Sequence, residues 1–402
     1  MPTKILTFST LFPNVARPHH GIFTETTLRQ QLATGEIEAK VVAPIPWFPL
    51  SHAVFGEYSI YAKVPVKSTR IGVEVFHPRY LALPKTNMYI APFSLAQAAR
   101  PVIARLIDEG YDFDVIDAHY FYPDGVAAAL LGKYFDKPVV ISALGTDINV
   151  IMNNRIARQM MLWASASAAS VITVCEALKT KMVGLGMNGA AITPLRNGVD
   201  LELFQPVDRD AYHSALGMDG FTLLSVGHLH AGKGHHHVII ALAHMAGVSL
   251  MIAGSGVDRR KLEVLARNLG VADRVTFLGA MPQQQLRHYY GAADALVLAS
   301  SREGWANVLL ESMACGTPVI ASAVGGTPEV IGSPAAGVLV PDGTPDSIVD
   351  GVRRLRAAYP DHAATRAYAE QFGWGETTRG QIHLLRKATR ESPPNGVLTG
   401  SA

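Results

Sequence analysis

The chain has 402 residues, of which 49% are hydrophobic and 17% charged, and its formal net charge is +2. This length exceeds the roughly 250 to 300 residues at which single cores stop growing, so two domains are expected. Such balanced charge disfavours a nucleic-acid-binding protein, and the apolar composition disfavours a disordered chain.

Short apolar segments alternate with segments of helical length along the whole chain, as in parallel sheets joined by crossover helices. The predicted strands of the first half are Lys4–Thr10, Lys40–Pro44, Val73–His77, Val115–His119, Pro138–Ala143, Ser170–Val174 and Ile192–Arg196. Those of the second half are Thr222–Gly227, Ser249–Gly254, Arg274–Gly279, Ala295–Ser300, Pro318–Ser322 and Gly337–Val340. The pattern predicts an α/β protein with two doubly wound, Rossmann-like domains.

The turn-prone pair Asn197-Gly198, followed by a polar stretch, marks the expected domain boundary. We expect a first domain over residues 1–198 and a second over 199–375, facing each other across an interdomain cleft. A helix at about residues 376–390 is expected to pack back on the first domain, and residues 391–402 are expected to form a frayed tail. Because ligands bind outside the carboxyl ends of parallel strands, this layout predicts a two-substrate enzyme.

The cellular compartment is indicated by two features of the sequence. It contains only two cysteines, Cys175 and Cys315, and its first residues lead directly into a strand-like segment. This usage predicts a cytoplasmic protein in a reducing environment. No run of 18 apolar residues occurs in the sequence, so no membrane-spanning helix is expected.

Contact with an anionic membrane surface stays open at the sequence level. A stripe within residues 155–163 combines methionines and tryptophan with two arginines: Met160, Met161, Trp163, Arg155 and Arg158. The stripe forms either an ordinary core face or a membrane-facing amphipathic surface.

A glycine-rich turn follows the predicted strand Thr222–Gly227 and precedes a helix that starts near His235. Such a strand, turn and helix start present backbone N–H groups and a positive helix end to an anion, and Lys233 adds a cation. The turn is neither a Walker loop nor a dinucleotide fingerprint, so Lys233 is either an anion ligand or a solvated lysine. His235 and the two histidines after it point about 100° apart on a helix, so no zinc site is expected.

Two carboxylates follow the predicted strand Ala295–Ser300. Glu303 precedes a predicted helix over Val308–Cys315, and Glu311 lies inside it. On one helix they would be separated by about 12 Å, beyond the roughly 5 to 9.5 Å of a glycosidase pair. A carboxylate accepts two hydrogen bonds from a diol, so we expect the two to hold different hydroxyl groups of one long ligand. The alternative is a pair of helix acids without function.

Backbone near this helix start is accessible because Gly304 and Ala306 are small. N–H groups around Asn307 are therefore expected to meet a phosphate. The turn after Arg274–Gly279, which contains Met281, is a candidate wall for a planar base.

Together these segments resemble the donor-site motifs of family-four glycosyltransferases. The resembling segments of the second half are Gly227…Lys233-Gly234, Phe277-Leu-Gly279, Glu303-Gly304 with Glu311, and Gly316-Thr-Pro-Val-Ile-Ala321 with Gly325-Gly326. Those of the first half are Phe8-Ser-Thr with Gly21-Ile-Phe, Asp117 to Gly125, Gly145-Thr-Asp147 and Asn197-Gly-Val-Asp200. The first-half motifs are similar to members that build bacterial surface polysaccharides. The resemblance covers nearly the whole chain and implies a retaining, nucleotide-sugar-dependent enzyme of the GT-B fold.

The resemblance also implies donor-site roles. Lys233 would contact the donor diphosphate, Glu303 the sugar hydroxyls, and Glu311 the ribose. Asn307 and Val308 would supply backbone amides. The other implied donor-site residues are Gly21, Gly227, His228, Gly279, Met281, Gly304, Trp305 and Ala306.

On the acceptor side, His119, Tyr120 and Asp147 map to loops that shape the acceptor site in this family. His119 is either catalytic or a structural histidine at a strand end. With Lys233 and Glu303 it completes the expected catalytic set.

Two positions depart from the family pattern. His228 stands where the family usually has arginine, which replaces a permanent bidentate cation by a group charged only at lower pH. Leu144 stands where histidine is frequent, so no acceptor-side histidine is assigned there.

The expected function is therefore transfer of a sugar from a nucleotide-diphosphate sugar to a glycan or lipid-linked acceptor in polysaccharide biosynthesis. Neither a metal nor a cofactor is expected, and no nucleic-acid partner. The alternatives are a nucleotide-sugar epimerase of the same fold and an inactive nucleotide-sugar-binding protein.

Overall fold

The computed structural model describes residues 2–47, 60–82, 87–218 and 220–391. The chain divides into two compact units, and each is described by itself. Unit 1 comprises Met1–Arg196 with Glu376–Ala402, and unit 2 comprises Asn197–Gly375. The expected tail of residues 391–402 lies outside the described residues except for Glu391, which ends a helix.

Unit 1 is built on an eight-stranded sheet with the order β10-β9-β8-β7-β1-β2-β5-β4. All its neighbouring strands are parallel except β4 and β5. Its strands are β1 (Thr3–Phe8), β2 (Ile37–Val42), β4 (Lys67–Arg70), β5 (Val73–Phe76), β7 (Val115–His119), β8 (Val139–Ala143), β9 (Ser170–Thr173) and β10 (Ile192–Pro194). Two further strands, β3 (Ile45–Trp47) and β6 (Arg79–Leu81), form a separate parallel pair.

The helices of unit 1 connect these strands. They are α1 (Ile22–Ala33), α2 (Asn87–Asp108), α3 (Val126–Phe135), α4 (Thr146–Asn149), α5 (Arg155–Ser167) and α6 (Glu176–Gly184). The last helix of the chain, α15 (Trp374–Glu391), belongs to unit 1 from Glu376 onward. Its Ile382, Leu385 and Ala388 are buried in one core cluster with Ile5 and Leu28.

Unit 2 is built on a six-stranded, all-parallel sheet with the order β13-β12-β11-β14-β15-β16. Its strands are β11 (Phe221–Val226), β12 (Val248–Ala253), β13 (Val275–Gly279), β14 (Ala295–Leu298), β15 (Val319–Ser322) and β16 (Gly337–Val340). Its helices are α7 (Arg209–Ala215), α8 (His235–Leu242), α9 (Arg259–Asn268), α10 (Gln283–Ala292), α11 (Asn307–Ala314), α12 (Thr327–Val330), α13 (Pro345–Ala357) and α14 (His362–Ala369).

The central strands are apolar because helices cover both faces of each sheet. Every residue of β7, β8, β14 and β15 is buried. Continuous burial of this kind is typical of parallel sheets, whereas a one-sided sheet shows alternation.

Each of the predicted strands is present, with ends that differ by a few residues. The structure adds β3, β4 and β6, which the sequence pattern did not identify. In both units the chain starts at a central strand, builds outward to one edge, and then returns to build the other half. The doubly wound architecture expected from the sequence is thereby confirmed.

Candidate active site

The sheet of unit 2 reverses its strand order between β11 and β14, which are hydrogen-bonded neighbours. The loop after β11 contains Lys233, and the loop after β14 contains Glu303. Ser301 N donates to Gly232 O at 3.0 Å, so the two loops are joined at this point. Ligands of open parallel sheets bind at such a reversal, beyond the carboxyl ends of the strands.

Close backbone contacts explain the glycines of these loops. Gly234 has φ +72°, and a Cβ atom there would lie 2.0 Å from Ala299 O. A Cβ atom on Gly254 would lie 1.9 Å from Gly227 O. No side chain fits at either position, so the loops approach each other through bare backbone.

Lys233 and Glu303 form an ion pair, with Nζ 2.5 Å from Oε1. Their side chains retain 26% and 10% of their exposure, so the pair is partly withdrawn from water. The Lys233 methylenes lie over Gly227, where a Cβ atom would be 3.6 to 3.8 Å away. The structure thus brings together the two residues that the sequence assigned to the diphosphate and to the sugar.

The backbone of the Glu303 loop is fixed from its other side by the turn at Gly325. That glycine has φ +54°, and its Cβ position lies 1.9 Å from Glu303 O. Gly326 N donates to Gly304 O at 3.1 Å. The loop that carries Glu303 therefore packs between the turn at Gly325 and the loop that carries Lys233.

Helix α11 starts at Asn307, one residue earlier than expected. Ala306 is its N-cap and gives no side-chain cap, so the first turn retains the N–H groups that every helix leaves without an intrahelical acceptor. Asn307 and Val308 are half-buried. These groups form the positive end of a helix beside Glu303, as an anion site requires.

Trp305 is buried, and its indole Nε1 donates to Asn197 O at 3.0 Å. Asn197 Nδ2 also donates to Asn307 Oδ1 at 3.4 Å. The segment at the start of unit 2 is therefore bound to the loop that carries Glu303, and the indole N–H of Trp305 is engaged there.

Glu311 is buried on α11 and accepts two hydrogen bonds from α10. Gln283 Nε2 lies 3.0 Å from Oε1, and Tyr290 OH lies 2.8 Å from Oε2. Burial raises the pKa of the Glu311 carboxyl, and these two donors oppose the rise. Sequence reasoning missed both donors, although their seven-residue spacing places them on one face of a helix.

The two remaining donor-side loops follow β12 and β13. Gly279 has φ +78°, and its carbonyl accepts from Gly254 N at 2.8 Å. Met281, expected at the wall for a base, is half-buried. These loops lie on the β12–β13 side of the sheet, away from β14.

The histidines near the glycine turn differ in environment. His228 is exposed in the loop. His235 is buried, its Nδ1 lies 2.9 Å from Ser225 Oγ, and burial lowers its pKa to about 4. Within the described ranges, no group of three or more histidine, cysteine or acidic side chains is arranged to hold a metal ion.

Unit 1 carries a cluster of buried polar side chains beyond the carboxyl ends of β1, β7 and β8. His119 is buried, and its Nε2 lies 3.0 Å from Asp117 Oδ2. Tyr120 has the left-handed φ of +82°, which is uncommon for a tyrosine and marks a constrained turn. Asp117 begins one of the resembling segments, but neither a role for it nor its pairing with His119 was predicted from the sequence.

Asp147 is fully buried and accepts hydrogen bonds from the backbone on both sides. Its Oδ2 accepts from Phe121 N at 2.8 Å, and its Oδ1 accepts from Gly145 N at 2.7 Å and Ile148 N at 3.0 Å. Leu144 N donates as well, at 3.1 Å to Oδ2. Asp147 therefore joins the loops after β7 and β8 and shapes this edge through the backbone.

Asp124 is a further buried carboxyl, which lies in the resembling segment Asp117 to Gly125 but was given no role from the sequence. Its Oδ2 accepts from Thr10 N at 3.0 Å and from Thr10 Oγ1 at 2.8 Å. Burial raises its pKa to about 7. The bond connects the loop after β1 to the loop after β7.

Gly21 begins α1 with φ +72°, at the end of the loop that follows β1. A Cβ atom there would lie 2.1 Å from Leu11 O, so only glycine fits this turn. The loop expected to contact a ligand is thus folded back on itself.

Comparison with known proteins agrees with this arrangement. The family model for Glycosyltransferase Family 4 matches residues 26–203, and the model for Glycosyl transferases group 1 matches residues 208–372. A D-inositol 3-phosphate glycosyltransferase 1 from Catenulispora acidiphila is 31% identical over 309 residues, which cover 69% of this chain and 73% of that relative. The chain belongs to glycosyltransferase family 4. The resemblance seen in the sequence motifs is confirmed.

Solved glycosyltransferases share the fold of this family-4 chain. Sucrose-phosphate synthase from Thermosynechococcus elongatus superposes with a TM-score of 0.78 at 20% identity, covering 96% of this chain and 99% of that one. The Anabaena protein HepE in complex with UDP gives a TM-score of 0.72 at 20% identity, covering 96% and 100%. The expected GT-B fold, with two Rossmann-like domains, is confirmed. The first curated relatives match over only about half of their own length, between 46% and 50%.

Helix α5, which carries the stripe of methionines and tryptophan, has both buried and exposed apolar side chains. Met161 is buried in the core, whereas Ile156 and Trp163 on the same helix are exposed at 51% and 38%. Cys175 and Cys315 are buried free thiols. In the part of the chain that the structure describes, no helix has the length and apolar character to cross a membrane.

Proposed function

We propose that this glycosyltransferase moves a sugar from a nucleoside-diphosphate sugar to a glycan or lipid-linked acceptor, with retention at the anomeric carbon, in polysaccharide biosynthesis. The observation that carries the proposal is the Lys233–Glu303 pair beside the start of α11, at the strand-order reversal of unit 2. A diphosphate sugar needs three groups at this position: a cation, the N-terminal end of a helix, and a carboxylate.

Lys233 and the first turn of α11 are assigned to the diphosphate. Negative charge develops on this group as it leaves the anomeric carbon, so donors already in place stabilise the transition state. Loss of one such donor typically costs about 2.7–4 kcal/mol, or about 100- to 1000-fold in rate.

Glu303 is assigned to the sugar hydroxyls and Glu311 to the ribose. A carboxylate oxygen has two acceptor positions, so Glu311 can accept a ribose hydroxyl while it keeps its bonds from Gln283 and Tyr290. Both carboxylates position the donor, and the acceptor proton passes to the departing phosphate on the same face of the sugar.

The reaction is proposed to be independent of metal ions. Lys233 and the helix start already supply positive charge where a metal would neutralise a diphosphate. The usual Mg²⁺ site, with one or two carboxylates beside the phosphates, would compete with the cation that Glu303 holds here.

The acceptor is assigned to unit 1, where Gly21, Tyr120 and Asp147 shape the carboxyl edge of the sheet. Exposed Ile156 and Trp163 on α5 favour contact with a membrane that carries a lipid-linked acceptor, at the cytoplasmic face. A second candidate acceptor is an inositol phosphate, because the curated relatives are named D-inositol 3-phosphate glycosyltransferases.

Donor binding and consumption by the purified protein test the proposal. UDP-, GDP-, ADP- and dTDP-sugars are screened by thermal shift, and product is then followed with glycan, lipid-linked and inositol 3-phosphate acceptors. We expect Lys233→Ala and Glu303→Ala each to reduce transfer by at least about 100-fold. Lys261→Ala and Glu370→Ala, two exposed residues of the same unit, are matched controls that keep activity.

The alternatives predict different products. An epimerase would convert the donor sugar without any acceptor, and an inactive binding protein would bind the donor without consuming it. Full activity of either site variant would contradict the assignment of Lys233 and Glu303.

A further inference from the structure

Two residues that the proposed function assigns to different parts of the donor are bonded to each other in the structure. Lys233, assigned to the diphosphate, donates to Glu303, assigned to the sugar, at 2.5 Å. Neither can give its full charge to a ligand while this ion pair persists. Donor binding therefore has to replace the bond between them.

The pair is held by backbone on both sides. The Lys233 stem lies over Gly227, and the Glu303 backbone packs against Gly325. The two loops are joined by the Ser301–Gly232 hydrogen bond. Because both loops are fixed by backbone contacts, they place the two side chains within bonding distance of each other.

Partial burial gives the pair a substantial energy. At 10% exposure the Glu303 carboxylate has lost most of its water, so the loss of Lys233 as its charged donor is costly. At 26% exposure Lys233 is still reachable by a ligand.

We propose that the Lys233–Glu303 ion pair makes the site discriminate between the donor and its bare nucleoside diphosphate. This inference rests on the proposed function. A diphosphate attracts Lys233 away from Glu303 and so removes the charged donor of that carboxylate. A nucleotide sugar repays that cost because its hydroxyl groups donate to Glu303. A nucleoside diphosphate alone does not, so it binds weakly and leaves readily after transfer.

Glu303→Gln replaces the charged competitor for Lys233 by a neutral amide and should therefore tighten binding of the nucleoside diphosphate, although it changes a site residue. A charge-assisted bond at this exposure corresponds to about three- to tenfold in affinity. The same variant should lose affinity for the nucleotide sugar relative to the nucleoside diphosphate.

Removing a negative charge near a diphosphate would also tighten binding by simple electrostatics. The two explanations differ in their dependence on Lys233. If the ion pair is responsible, Glu303→Gln gives no gain when Lys233 is already methionine. If only the charge is responsible, the gain persists in that background.

The experiment is isothermal titration calorimetry with UDP, GDP, ADP and dTDP and with UDP-glucose, GDP-mannose, ADP-glucose and dTDP-glucose. The proteins are wild type, Glu303→Gln, Lys233→Met, the double variant, and Glu370→Gln as a control for total charge. The pair that binds wild type most tightly is used for the comparison. Glu303→Ala, expected to give the same sign, replaces the glutamine variant if that variant does not fold.

We expect Glu303→Gln to bind the nucleoside diphosphate about three- to tenfold more tightly than wild type, with no gain on Lys233→Met and none from Glu370→Gln. An unchanged or weaker affinity of Glu303→Gln would overturn the inference, as would an equal gain on Lys233→Met. Failure of wild type to bind any of the eight nucleotides would instead refute the proposed function, on which the inference depends.

Discussion

Asp147 offers a sharp test of how the carboxyl edge of unit 1 is held together. Its two oxygens accept from four backbone N–H groups, those of Phe121, Leu144, Gly145 and Ile148. Asp147→Asn keeps the shape of the side chain but turns one acceptor oxygen into a donor NH₂ group. In either orientation, that NH₂ faces a backbone donor.

The magnitude follows from which bonds survive. The better orientation keeps Oδ1 on the N–H groups of Gly145 and Ile148 and places the NH₂ group against Phe121 N–H. The Leu144 N–H can then use only its weaker contact to Oδ1, at 3.3 Å. One buried donor is lost and a second is weakened, and each unsatisfied buried group costs about 1–3 kcal/mol. We expect unit 1 to lose about 2–4 kcal/mol.

Hydrogen exchange followed by mass spectrometry reports this loss locally. Exchange in the segments after β7 and β8 should accelerate by about 30- to 700-fold, the equivalent of that free energy, while unit 2 stays unchanged. Asp136→Asn is the control: this exposed residue has φ +52°, which asparagine tolerates, so its effect should stay within about 0.5 kcal/mol. Equal exchange at Phe121 in the two variants would refute the reasoning.

Two further predictions concern unit 2. Tyr290→Phe removes a donor that favours the ionised form of Glu311, so the pKa of Glu311, already raised by burial, should rise further. A carboxyl with a raised pKa in the folded state loses stability as pH rises through that pKa, so thermal unfolding should show a cost of about 1.5–3 kcal/mol at pH 8 and a smaller cost at pH 5. Equal costs at both pH values would be inconsistent with this coupling. A chelator such as EDTA should leave transfer unchanged, and a loss that added metal restores would contradict the metal-independent mechanism.

Most of the fold could be predicted because apolar strands between glycine turns leave a local signal. Strand Val115–His119 was predicted with its observed ends, and the strands of unit 2 within a few residues. Strands β3, β4 and β6 were missed because each is only three or four residues long and lacks a run of buried residues. Strand β4, Lys67–Arg70, has no buried residue and pairs antiparallel at the sheet edge, so it shows no apolar run.

The candidate site was predicted in part, for the same physical reason. Lys233 and Glu303 follow strand ends, and a strand, glycine turn and helix start can be recognised locally. Their mutual bond could not be predicted, because it depends on the packing of loops 70 residues apart. The Asp124–Thr10 bond spans 114 residues and leaves no periodic trace in the sequence.

The two glutamates show why spacing alone could not assign their roles. Glu303 lies in a loop before α11 and holds a cation, whereas Glu311 lies within the helix and is held by the neutral donors Gln283 and Tyr290. A carboxylate paired with a lysine is neutralised until a ligand competes for that lysine. A buried carboxyl held by the donors of a neighbouring helix keeps its orientation. Glu303 is therefore suited to a contact that changes when the donor binds and when the product leaves. Glu311 is suited to a fixed contact with the ribose, which stays the same throughout transfer.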